Sequence, residues 1–233
     1  MQTLVNEAYV RGRVRIGNLL LLAAMAVFAI GFVLSLNLRE EAWLVTYISI
    51  FIGLALWQVS LGYLRRWGPR YRMDPVLAQA LKGLDDRYTL VSFISPRLPD
   101  YLVVGPAGVH VLVPRATGGE IVCRHDRWER ANASLLRRLF GAALGNPSQE
   151  VVQGVAQVEA YLREHPVEGI EAAVPVHGLI VFTNPRARLR IDGCTVSAVT
   201  LKELRGHFKR IKGDLRPQQV SRLRQALERA AQG

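Results

Sequence analysis

Few of the 233 residues could do chemistry together, and they gather in one stretch. "DYLVVGPAGVHVLVPR" (100–115) reads as two apolar strands joined by a Gly-Pro turn. It opens on a carboxylate, Asp100, and closes on Val113-Pro114-Arg115. A carboxylate is a hard ligand for a divalent cation, which wants several converging oxygens. A guanidinium is permanently protonated, so Arg115 can hold a phosphate but cannot take a proton from water. A second group, "NPRARLR" (184–190), offers Arg186, Arg188 and Arg190 for phosphate contacts that read no sequence. Cys123 and Cys194 show neither metal-ligand spacing nor a partner pattern, so reduced thiols are expected. The five histidines are scattered, and no zinc site is suggested. His110 and His177 sit inside strands, as solvent-face or core residues.

The elements that must position these groups follow from pattern. "DPVLAQALKGL" (74–84) is a helix with Asp74 as its expected N-cap and Pro75 in its first turn. Strands are expected at 88–95, 100–104, 109–113 and 120–125, the middle pair joined by "GPAG". Little order is expected over 126–145, apart from a short basic helix at Leu135–Leu139. Asn146 then caps a helix whose Val151, Val155, Val158 and Leu162 share one face. "VPVHGLIVFT" (174–183) reads as a buried strand, "CTVSAV" (194–199) as a short edge strand, and 200–211 and 216–232 as basic amphipathic helices. The order predicts an α/β domain built on one mixed sheet flanked by helices.

The first third is different. Leu19–Leu36 and Trp43–Leu64 are uncharged runs of 18 and 22 residues. As helices they would be about 27 and 33 Å long, matching a hydrocarbon core of about 30 Å. Arg11, Arg13, Arg15, Arg65, Arg66, Arg70 and Arg72 flank the pair, whereas the connector carries only Arg39 with Glu40 and Glu41. The positive-inside rule then predicts an integral membrane protein with two spans, both termini and the main domain being cytoplasmic. Neither span holds an ionisable residue, which argues against transport or a proton relay. The expected divisions are an anchor (1–66), a linker (67–73), a domain (74–212) and a C-terminal amphipathic helix (213–233).

Taken together, Asp100, "VVGPAGV" (103–109), Gly119, Trp128, "NPSQ" (146–149) and "VFTNP" (181–185) resemble the nuclease-related domain (NERD) family of the PD-(D/E)xK nuclease superfamily. The resemblance covers 74 to about 208 and implies a PD-(D/E)xK-like mixed sheet flanked by helices. It also implies a site in which the Asp and the Glu of Glu-x-Lys bind Mg²⁺ and the Lys positions the attacking water. In this chain the Asp is Asp100, but the Glu position is Val113 and the Lys position is Arg115. Valine offers no oxygen and arginine cannot act as a base. Glu120, Asp74, Gln149, Gln157 and Tyr161 are the residues that could stand in.

The chain carries 30 Lys and Arg against 19 Asp and Glu, a net charge of +11, which suits an anionic partner. That partner is the inner leaflet of the lipid bilayer, or DNA or RNA held through phosphates. The motifs of a groove reader or an aromatic stacking platform are missing. The expected function is therefore a membrane-anchored, non-catalytic nucleic-acid-binding or scaffolding module, the latter implying a protein partner not yet identified. It needs no cofactor. The alternative is a membrane-tethered nuclease, for which Mg²⁺ would be required.

Overall fold

The computed structural model describes residues 1–37, 42–131, 145–170 and 173–230. The helix expected at Leu135–Leu139 and most of the connector between the apolar runs lie outside them. The chain divides into two compact units, 7–72 and the rest, 1–6 together with 73–233. The expected boundaries differ at both ends: six N-terminal residues belong with the domain rather than the anchor, and the C-terminal helix is part of the domain core.

The smaller unit is a pair of helices, α1 (Glu7–Asn37) and α2 (Ala42–Trp67). Both are long and apolar enough to cross a membrane, with mean hydropathies of 2.7 and 1.8. Neither has a polar stripe, and large side chains such as Leu22 and Phe51 point outward. Between the helices the contacts are small and polar. Ser60 Oγ donates to Gly17 O at 2.8 Å, and a Cβ on Gly31 would run into the Ser49 hydroxyl. Small residues of this kind let helices approach where hydrophobic burial gives no drive. At the outer end Arg72 forks onto Glu7 at 2.9 and 3.1 Å, and the Arg13 guanidinium lies 5.0 Å from the Tyr9 ring centre.

The larger unit is mixed α/β. Its main sheet has six strands in the order β1-β2-β3-β4-β7-β9. These are β1 (Gln2–Val5), β2 (Thr89–Ser92), β3 (Tyr101–Gly105), β4 (Gly108–Arg115), β7 (Val176–Phe182) and β9 (Ser197–Thr200). β3 runs antiparallel to its neighbours β2 and β4, whereas β1, β7 and β9 join as parallel neighbours. A second sheet, β6-β5-β8, comprises β5 (Gly119–Arg124), β6 (Arg127–Arg130) and β8 (Ala187–Asp192). The expectation of one sheet is thus corrected to two: β6 falls where little order is expected, β8 in a stretch assigned no element, and β1 within the expected anchor.

Among the described residues four helices flank the sheet: α3 (Asp74–Leu81), α4 (Pro147–Glu164), α5 (Leu201–Arg210) and α6 (Pro217–Ala230). One face gathers Leu102, Val104, Val109, Val111, Val113, Ile180 and Phe182 with Val151 and Val158 of α4 and Val220, Leu223 and Leu227 of α6. Strand alternation turns the next residues to the other face, where His110 meets Phe208 of α5 with ring centres 5.0 Å apart. α4 sits tightly on the sheet, since a Cβ on Gly178 would lie 1.9 Å from Val151 Cγ1. Asn146 caps α4 as expected, its Oδ1 accepting from Gln149 N at 3.2 Å. Asp74 does not cap α3. The cap position is Met73, and Asp74 is a buried residue of the first turn.

Candidate functional site

β3 and β4 bring the candidate catalytic positions together. Their register pairs Leu102 with Val111, and continuing it by two residues sets Asp100 opposite Val113. Alternation along β4 places Val113 and Arg115 on the same face. Asp100 is therefore set opposite a methyl-bearing side chain rather than a second carboxylate. Val113 is 9% exposed and part of the apolar core, paired in register with Ile180.

Arg115 is the residue whose setting the sequence concealed. Its Nη2 donates to Glu150 Oε1 at 2.5 Å and its Nη1 to Pro114 O at 3.2 Å. Glu150 follows directly on the "NPSQ" motif in the first turn of α4. The Arg115 carbonyl accepts from Thr183 N at 2.8 Å and Thr183 Oγ1 at 3.3 Å, tying the end of β4 to the end of β7. Asn184 extends the tie, donating from Nδ2 to Ala116 O at 3.2 Å and accepting from Arg186 N at 3.0 Å. The site thus holds one carboxylate, one valine, and one cation already matched by a neighbouring acid.

The other landmark residues make a structural clamp. Trp128 Nε1 donates to Ser148 Oγ at 2.7 Å, and Ser148 donates to Asp126 Oδ1 at 3.2 Å. Asp126 also accepts from Thr195 N at 3.0 Å and Thr195 Oγ1 at 2.9 Å. Those bonds, the Thr195 hydroxyl first, hold the Asp126 carboxyl below its ordinary pKa. The Trp128 ring lies 5.6 Å from that of Phe182, so the clamp joins the small sheet, the start of α4 and the main sheet.

Of the proposed substitutes, Asp74 is buried next to Met73, whose backbone N donates to the Tyr101 hydroxyl at 3.0 Å, and the others are dispersed. Glu120 is on β5 and binds Arg190 Nε at 2.9 Å. Gln149 and Gln157 lie exposed on α4, and Tyr161 stacks on His165 with ring centres 4.4 Å apart. The three arginines are also split. Arg186 lies in the turn before β8, while Arg188 and Arg190 share an outward face with Glu120, Glu129 and Asp192 of the same small sheet. The denser cationic surface is on α5, where Lys202, Arg205, Lys209 and Arg210 are all exposed. The one acid of that helix, Glu203, accepts from Thr200 N and Oγ1 at 2.9 and 2.8 Å.

Two features had no clear signal in the sequence. His110, His177 and His207 line a cavity of about 510 Å³ at the edge of β7, with Val155 and Val196 on its other walls. His110 is 2% exposed and its Nε2 has no hydrogen-bond partner among the described residues, and burial, then His177 and His207, push its pKa down to about 4. The second feature is a disulfide between Cys123 and Cys194, with a Cα–Cα distance of 6.4 Å. The expectation of unpaired thiols is corrected: β5 and β8 are parallel neighbours, which brings residues 71 apart in the chain side by side. Comparison with family models, curated proteins and solved structures returned no match to this chain.

Proposed function

We propose that this chain is a membrane-anchored, non-catalytic NERD-like module of PD-(D/E)xK-like fold that binds nucleic acid through its phosphates on the cytoplasmic side of a bilayer. The observation that carries the reading is Val113, packed in the core opposite Asp100 where a metal site would need its second carboxylate. With one anionic ligand a divalent ion keeps most of its waters and is held weakly. Arg115, matched by Glu150, neither serves as a base nor presents an unopposed charge. The cations on α5 supply the electrostatic attraction, and Arg188 and Arg186 add to it at the small sheet. Topology agrees with the anchor: two crossings return the chain to the side it left, and β1, which precedes them, pairs with β2 of the domain. The seven flanking arginines favour the cytoplasmic side for it.

Binding of duplex and single-stranded DNA to the full chain in detergent micelles, measured across a salt series, tests the reading. Affinity should fall linearly on a log–log plot. Replacing Lys202, Arg205 and Lys209 with Ala should lower the slope by about 2–3, since each phosphate contact contributes about 0.9. Replacing Arg186, Arg188 and Arg190 should lower it less, because Arg190 is matched by Glu120. Salt-dependent binding to anionic vesicles with none to DNA or RNA would reassign the basic surface to the leaflet. Absence of both would leave scaffolding.

A further inference from the structure

The disulfide has a third neighbour. The sulfurs of Cys123 and Cys194 and a carboxylate oxygen of Asp126 all lie within 4.8 Å of one another. We propose that, once reduced, Cys123, Cys194 and Asp126 form a Zn²⁺ site that replaces the disulfide as the staple between the β5–β6 turn and the loop before β9. This inference is independent of what the domain binds.

Two thiolates and a carboxylate are ligands of the kind that borderline-soft Zn²⁺ takes in tetrahedral sites, with Zn–S near 2.3 Å and Zn–O near 2.1 Å. Mg²⁺, which wants only oxygen, would not be held there. The carboxylate is already oriented by Thr195 N, Thr195 Oγ1 and Ser148 Oγ, the outer shell that a metal-binding Asp requires. The turn itself is informative. His125 and Asp126 both have positive φ, 48° and 61°, in a two-residue hairpin connection that Asn-Gly would make without strain. The fourth position is left to water.

The chemistry balances in two steps. Two electrons and two protons from a thiol reductant, itself oxidised to its disulfide, convert Cys123–Cys194 to two thiols. Zn²⁺ then binds both sulfurs as two protons leave. A cytoplasmic domain meets such reductants routinely. There the disulfide would open, and the metal keeps Thr195 and Val196 in place, both of which line the histidine cavity.

The test uses the full chain in micelles, reduced with a phosphine, desalted without oxygen, and titrated with Co²⁺ and then Zn²⁺. One Co²⁺ per chain should bind with a sulfur-to-metal charge-transfer band, and one equivalent of Zn²⁺ should displace it. The oxidised chain should show no band. Asp126→Asn should weaken Zn²⁺ by tenfold or more, and Cys194→Ser should abolish the band. A reduced wild-type chain that binds no more metal than the oxidised one overturns the proposal, and that comparison needs no variant to fold. Unchanged affinity in a folded Asp126→Asn chain overturns it equally.

Discussion

His110 shows what one buried side chain does to the whole domain. It lies under α5 with Nε2 unpartnered among the described residues, so protonating it would bury an unmatched charge. Its pKa is about 4 in the fold and about 6.5 in the unfolded chain, so the unfolded state binds the proton first. Stability from this residue is therefore complete above pH 6.5 and is lost as pH falls towards 4. The full difference is of order 3 kcal/mol. Thermal unfolding of the full chain should show Tm dropping over that window, and His110→Phe should flatten that part of the profile. An equal drop in the variant would place the acid sensitivity elsewhere. The same residue-scale logic applies at position 113. The core already fills that site with Val111, Val113 and Ile180, so a carboxylate there would be buried among apolar side chains.

Among the elements, α4 is seated closely on β7 at Gly178. Gly178→Ala would push a methyl group against Val151, and such overpacking costs about 1–3 kcal/mol. Val151→Ala in the same chain should recover part of the loss, a coupling that Tm values of the two single variants and the double variant measure. Additive losses would mean that α4 moves away freely. The elements also show why some of the fold was legible and some was not. The strands around "GPAG", the Asn146 cap and the amphipathic α4 declare themselves by local pattern. β8 carried its signal in plain view: Ala187, Leu189 and Ile191 alternate with Arg188, Arg190 and Asp192. Its arginines drew the reading to phosphate, whereas the period of two meant a strand. β1 and β6 have four residues each and depend on distant partners, so local pattern could not reveal them. The remnant of the site was legible because Asp100, Val113 and Arg115 lie on one hairpin. Glu150 was not, because an ion pair between residues 35 apart is a product of the tertiary fold.

For the molecule as a whole, charge supports the proposal that α1 and α2 cross the bilayer with both termini and the main domain on its cytoplasmic side and the connector on the other. The motivation is the seven arginines that flank the spans and the single one between them. With Cys123 and Cys194 replaced by Ser, a cysteine in place of Glu40 should react with an impermeant maleimide in intact cells. Reaction only after lysis would invert the protein, and would place its disulfide in an oxidising compartment.

The proposal that the domain has no working metal site at Asp100 is tested by cleavage. The purified full chain is incubated with Mg²⁺ or Mn²⁺ and labelled DNA and RNA, beside an Asp100→Ala chain. The account predicts no metal-dependent cleavage by either protein, because Val113 and the Glu150-matched Arg115 leave Asp100 without a second anionic ligand. Cleavage by the wild type that requires the metal and disappears in Asp100→Ala would contradict it.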